Sequence, residues 1–160
     1  MLTFTGKNGL DLQQSKGTLS SSASILGHEM THLVVNRFLP GRLPLWLNEG
    51  LAEYYGEFAY AAHKGIKKSK RAQFTRLGTI FPLEHLLDAK GYPVNTRDVQ
   101  VFYQTSKYLV GFLLLAQPTE PFIPFVQDLL QGMSSVDAFA KHYQLGSVPE
   151  IEKKFRSFAR

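Results

Sequence analysis

Apolar side chains recur every three or four residues through most of this chain, which is the spacing of helices with one buried face. One helix is predicted around Ile25–Val35, with Ser20, Ser21, Ser22 and Ser24 as candidate caps and Pro40-Gly41 as its end. A second helix begins after Pro44. Further helices are predicted over residues 82–87, 99–116, 121–131, 134–142 and 147–158. The pattern is that of a mainly α protein.

The first 19 residues depart from this helical pattern. Their apolar positions are separated by glycines, which predicts one or two short strands over residues 1–19. The chain then divides into helices over residues 20–62, a basic loop and short helix over residues 63–98, and a helical subregion over residues 99–160. With 44% hydrophobic and 19% charged residues, residues 1–160 are expected to form a single domain, mainly α with an α+β remnant.

The net charge of +5 comes largely from a basic stretch between residues 64 and 76. Its cations are Lys64, Lys67, Lys68, Lys70, Arg71 and Arg76. An acidic peptide, an anionic wall polymer or a nucleic acid would suit such a cluster. However, the stretch lacks interleaved aromatic residues and matches no nucleic-acid motif. A solvated, mobile loop is therefore the favoured interpretation, and no nucleic-acid partner is expected.

Neither a leader nor a membrane anchor is predicted. Residues 1–8 lack the basic start and the apolar segment of a signal peptide, and the apolar run Leu109–Ala116 is shorter than the ~20 residues of a membrane span. The absence of cysteine excludes disulfide bonds and cysteine-ligated zinc, but it fits a reducing or an oxidising compartment. We therefore expect a soluble protein, with its location and oligomeric state open.

Candidate chemistry is concentrated in residues 28–32, which read H-E-M-T-H. Because His28 and His32 are four residues apart on a predicted helix, both imidazoles can reach one metal ion. Glu29 lies about 100° round the helix, where it can reach a water beside the metal rather than the metal itself. Zinc lowers the pKa of such a water from ~15.7 to about 7, and a neighbouring carboxylate can take its proton.

A catalytic zinc usually has three protein ligands, so a third ligand must come from elsewhere in the chain. The second predicted helix reads W-L-N-E-G-L-A-E-Y and carries Glu49 and Glu53 one turn apart. Like charges at that spacing repel unless a cation neutralises them. Glu49 is the favoured ligand and Glu53 the alternative. Glu53 and Asn48 can otherwise hold the outer nitrogens of the two histidines.

Together the two segments resemble the gluzincin clan of zinc metallopeptidases, which includes the thermolysin-like and aminopeptidase N-like enzymes, and most closely its peptidase MA-like domains. The resemblance covers residues 28–55 and implies a zincin-like catalytic core with Zn²⁺ as cofactor. It implies His28, His32 and Glu49 as zinc ligands, Glu29 as general base, and Asn48 and Glu53 as residues that orient the histidines. The implied activity is hydrolysis of a peptide or protein substrate.

The sequence is least specific about which residue donates a hydrogen bond to the oxyanion of the transition state. Residues 101–112 resemble the tyrosine-bearing helix of aminopeptidase-type gluzincins, with Tyr103 as the best match and Tyr108 as reserve. A tyrosine at the head of a buried helix is also often an ordinary core residue. His63, His85 and His142 are further candidate proton donors, although structural roles are favoured for all three.

The chain departs from the gluzincin pattern at two points. Only a remnant of the sheet that receives the substrate backbone fits into residues 1–19, and the segment that binds a free substrate amine in aminopeptidases is absent. An endopeptidase is therefore expected by default. The alternatives are a zinc-binding but catalytically inactive domain used for protein interaction, and a chain without metal. Related domains often belong to larger and sometimes exported proteins.

Overall fold

The computed structural model describes residues 18–39, 41–66 and 74–160, with side chains from Ser24 onward. Its helices are α1 (Thr18–Phe38), α2 (Leu45–His63), α3 (Leu83–Leu87), α4 (Thr96–Leu115), α5 (Phe122–Leu130), α6 (Ser135–Tyr143) and α7 (Val148–Phe158). These three ranges contain no strand. The prediction of a mainly α protein is confirmed. The strands were predicted over residues 1–19, of which residues 1–17 lie outside the described residues.

Three predicted helix ends are corrected. Helix α1 begins at Thr18, so residues 18 and 19 are helical and the serines proposed as caps lie within the helix. Helix α4 begins at Thr96 rather than at residue 99, because the Asn95 side chain accepts a hydrogen bond from the backbone N–H of Asp98. Helix α6 ends at Tyr143, one residue beyond the end predicted near residue 142, and the following Gln144 adopts a left-handed conformation with φ 57°.

The start of helix α2 is anchored by the largest buried side chain. The Trp46 ring is fully buried and packs against Phe139, with ring centroids 6.2 Å apart. Its indole N–H donates to the Ser135 hydroxyl at 3.0 Å, and that hydroxyl donates to the backbone oxygen of Leu87 at 3.0 Å. These bonds tie α2 to α6 and to the end of α3. They also fix the turn of α2 that carries residues 48 and 49.

Helices α1 and α2 pack against each other along a line of small residues. A Cβ atom on Gly56 would lie 2.9 Å from the backbone nitrogen of His28, closer than real Cβ contacts come. The glycine therefore allows the two helix backbones to approach closely at the level of His28. Because the crossing is this tight, side chains on facing turns of α1 and α2 meet directly.

Part of α1 faces away from this contact. Its exposed apolar residues are Ile25, Leu26, Met30, Leu33, Val34 and Phe38. No helix within the described ranges is long and apolar enough to cross a membrane. In the basic stretch, Lys64 and Arg76 are exposed, whereas Lys67, Lys68, Lys70 and Arg71, and the mobile loop predicted there, fall outside the described residues.

Candidate metal centre

Two histidines of α1 and one glutamate of α2 converge at the helix crossing. The Nε2 atoms of His28 and His32 are 3.0 Å apart. Oε2 of Glu49 lies 3.4 Å from each of these nitrogens. Glu49 is only 3% exposed, and the two imidazoles are partly buried. Three metal-ligating atoms thus meet in one small, partly enclosed volume.

These separations can be tested against the geometry of a zinc site. Zinc binds histidine nitrogen and carboxylate oxygen at about 2.0–2.2 Å, so tetrahedral angles separate two ligand atoms by about 3.2–3.6 Å. The observed separations of 3.0, 3.4 and 3.4 Å are close to that range. The two neutral imidazoles and one carboxylate also match the chemistry of a catalytic zinc site. The residues therefore fit a zinc ion.

The outer nitrogens of both imidazoles are held by residues of α2. Nδ1 of His28 lies 3.1 Å from Oε1 of Glu53, and Nδ1 of His32 lies 3.3 Å from Oδ1 of Asn48. Because both partners accept hydrogen bonds, they favour the tautomer with hydrogen on Nδ1 and a lone pair on Nε2. This arrangement points both lone pairs inward and favours Glu49 over Glu53 as the ligand.

Without a bound metal ion, Glu49 and Glu53 determine the direction in which the pKa of His28 shifts. Burial alone would lower the pKa of His28, but hydrogen bonds to Glu49 and Glu53, together with their charges, raise it to about 9. For Glu49, burial would raise the pKa, but hydrogen bonds from His28 and Tyr92 and the charges of His28 and His32 hold it below the ordinary value. A proton on His28 therefore balances the buried carboxylate.

This balance predicts how the stability of the metal-free protein depends on pH. The pKa of His28 is about 9 in the folded protein and 6.5 in the unfolded chain. The stabilisation that protonated His28 gives the fold is therefore complete below pH 6.5 and is lost as the pH rises through 9. The expected loss in the free energy of unfolding is at most about 3 kcal/mol. Urea denaturation of chelator-treated protein at several pH values measures it. The loss should disappear in His28→Asn, and equal losses in the two proteins would contradict the assignment.

The other predicted catalytic residues, Glu29 and Tyr103, lie near the centre. Glu29 is exposed, and its charge is among those acting on Tyr103. The Tyr103 ring packs edge-on against His28, with centroids 6.1 Å apart. Burial, followed by the charge of Glu49, raises the pKa of Tyr103 above its ordinary value, so its hydroxyl remains a hydrogen-bond donor at neutral pH.

Tyr92 was not predicted from the sequence. Its hydroxyl donates a hydrogen bond of 2.7 Å to Oε1 of Glu49. Burial, then the hydrogen bond and charge of Glu49, raise its pKa well above the ordinary value. Tyr92 lies in the loop between α3 and α4, where Gly91 and Pro93 indicate a turn without indicating a site.

The reserve candidates lie elsewhere. The Tyr108 hydroxyl donates to the backbone oxygen of Thr75, which removes it from consideration as the oxyanion donor. His142 contacts the carboxylate of Asp128, whereas His63 and His85 are exposed. Glu57 continues the row of Glu49 and Glu53, but its charge is balanced by Lys107 rather than by the metal centre.

A cavity of about 960 Å³ opens beside Glu49. Asn48, Glu49 and Tyr92 form part of its wall, and apolar side chains such as Val35, Leu87, Leu129 and Met133 also line it. Arg42 and Lys90 lie at its edge and are exposed. The cavity is large enough for side chains of a peptide, and its lining is about equally polar and apolar.

Comparison of the chain with protein-family models, with curated proteins and with solved structures finds no match. The resemblance to gluzincins therefore rests on the sequence motifs of residues 28–55 alone.

Proposed function

We propose that the chain is a zinc-dependent hydrolase of the gluzincin type that cleaves peptide bonds, with endopeptidase activity as the default. One observation carries this proposal. Two imidazole nitrogens and one carboxylate oxygen converge at 3.0–3.4 Å, while the outer nitrogens of the same imidazoles are held by Glu53 and Asn48. Residues on an ordinary helix surface are not expected to place three potential ligand atoms together and also to hydrogen-bond the outer nitrogens of both histidines.

The proposed roles follow from these contacts. His28, His32 and Glu49 hold the zinc ion. When bound, zinc supplies a Lewis acid that polarises a carbonyl and lowers the pKa of water to about 7. Glu29 accepts the proton of the attacking water, because its carboxylate is exposed beside the centre rather than engaged with the histidines. The protonated Tyr103 hydroxyl donates to the oxyanion that forms at the carbonyl.

The substrate class rests on the motif and on the cavity. An extended peptide can present its carbonyl at the histidines and a side chain to the cavity beside Glu49, whose lining is about equally polar and apolar. Within this substrate class, endopeptidase activity is the default and does not rest on any particular residue.

A second candidate is a zinc-binding domain that is catalytically inactive and serves protein interaction. One observation favours it, namely the exposed apolar residues of α1. Both candidates require zinc. They differ in whether Glu29 participates in turnover.

Zinc content tests both candidates against a protein without metal. Elemental mass spectrometry should find about one zinc ion per purified chain, and none in His32→Ala, because two ligands do not form a structural or catalytic zinc site. The matched control is His63→Ala, which removes an exposed histidine and should leave the zinc content unchanged. Zinc should also raise the melting temperature of the wild-type protein but not of His32→Ala. A chain that binds no zinc after incubation with excess metal would refute the proposal.

A further inference from the structure

The two carboxylate oxygens of Glu49 face different partners. Oε2 lies 3.4 Å from Nε2 of both His28 and His32. Oε1 accepts the 2.7 Å hydrogen bond from the Tyr92 hydroxyl. The carboxylate is almost fully buried, so solvent does not supply an alternative donor to Oε1. One oxygen is thus directed at the proposed metal position, and the other is occupied by a phenol.

Tyr92 is itself held in position by helix α4. Its ring lies against Tyr103, with centroids 5.9 Å apart, and edge-on to Phe102 at 6.2 Å. Phe102 is fully buried, and the Tyr103 ring also packs edge-on against it. Although Tyr92 is half exposed, two fixed rings of α4 therefore determine where its hydroxyl points.

The hydrogen bond from Tyr92 affects how the Glu49 carboxylate can bind a metal ion. A glutamate can coordinate through one oxygen or through both. If Glu49 used both, it would occupy the coordination position that a hydrolytic zinc site leaves open. A strong donor on Oε1 disfavours that second bond, because the oxygen would have to exchange a buried hydrogen bond for the metal.

We propose that Tyr92 is a positioning residue that keeps Glu49 bound to zinc through Oε2 alone and so preserves the open position. This inference rests on the proposed zinc site and adds to it a residue outside both sequence motifs. It also assigns different roles to the two neighbouring tyrosines: Tyr92 acts on the ligand, whereas Tyr103 acts on the substrate.

The test is Tyr92→Phe, which keeps the ring against α4 and removes only the hydroxyl. Zinc affinity, measured by competition with a chromophoric chelator, should fall by about 10–100-fold. X-ray absorption of the zinc-loaded variant should show the carboxylate carbon of Glu49 closer to zinc than in the wild-type protein, because Oε1 becomes free to bind in place of the solvent ligand. A merely structural role would not change how Glu49 binds the metal.

Tyr55→Phe is the matched control. Tyr55 is 48% exposed, close to the 50% of Tyr92, and its ring also packs against another tyrosine. This variant should keep the wild-type affinity and the wild-type distance from zinc to the carboxylate carbon of Glu49. If Tyr92→Phe keeps both as well, or if Tyr55→Phe loses affinity to the same extent, the inference is wrong while the zinc site stands. A wild-type chain without zinc would overturn both the inference and the proposed function.

Discussion

Replacing Glu29 with glutamine is expected to reduce kcat by about 10²–10⁴-fold while the protein keeps its zinc. Glutamine is nearly isosteric with glutamate but cannot accept a proton from the attacking water. The two histidines and Glu49, which are the proposed metal ligands, do not depend on Glu29, since its exposed carboxylate forms no hydrogen bond or ion pair with them. In Glu29→Gln the zinc content should therefore stay at the wild-type level while kcat falls.

The measurement has two parts. Wild-type protein is first assayed against a peptide library, and the best substrate is then used to compare kcat with Glu29→Gln, while zinc is quantified in the same samples. Glu120→Gln is the control, because Glu120 is an exposed glutamate in the turn before α5. If wild-type protein binds zinc and cleaves nothing, the interaction-domain candidate gains support. Full turnover in Glu29→Gln would contradict the role of this residue as general base.

Replacing Gly50 with alanine is expected to destabilise the fold by at least about 2 kcal/mol. A Cβ atom at this position would lie 2.5 Å from the backbone oxygen of Ser106 and 2.7 Å from Cγ2 of Val110. Both neighbours belong to α4, and a backbone atom cannot move aside as a flexible side chain can. Inside an isolated helix the same change would be favourable by about 1 kcal/mol, so the two effects have opposite signs.

Helix α2 would have to shift away from α4, and Glu49 is the adjacent residue. Gly50→Ala should therefore also weaken zinc binding, which chelator competition can measure beside urea denaturation. Gly78→Ala is the control, because nothing lies within 4 Å of a Cβ atom there. A Gly50→Ala protein more stable than wild type would show that helix propensity outweighs the close contact between α2 and α4.

Much of the fold was predictable because its causes are local. The proline at residue 44 precedes α2 as predicted, and Ser134 caps α6 by accepting from the backbone N–H of Asp137. The start of α4 was predicted three residues too far along the chain, at residue 99 instead of Thr96, and this error also has a local cause. The N-capping Asn95 follows a glycine- and proline-containing loop, and the first turn of α4 lacks the apolar periodicity on which the prediction rested.

The centre itself was predictable only in part. The four-residue spacing places His28 and His32 on one face of α1, and the same spacing places Glu49 and Glu53 on one face of α2. Spacing alone does not say which carboxylate reaches the inner nitrogens. It also gave no indication of Tyr92, whose position depends on a loop packed against rings of α4.

By itself, the sequence determined the mainly helical character of the chain, the start of α2 and the cap of α6, and the pairs of residues that share a helix face. Helical geometry repeats every 3.6 residues, so neighbours along one helix are known once the helix is known. Only the tertiary structure decided that Glu49 faces both histidines, that Glu53 lies outside them, and that a tyrosine holds the second oxygen of Glu49. These contacts join residues far apart in the chain, and they depend on how closely α1, α2 and α4 pack.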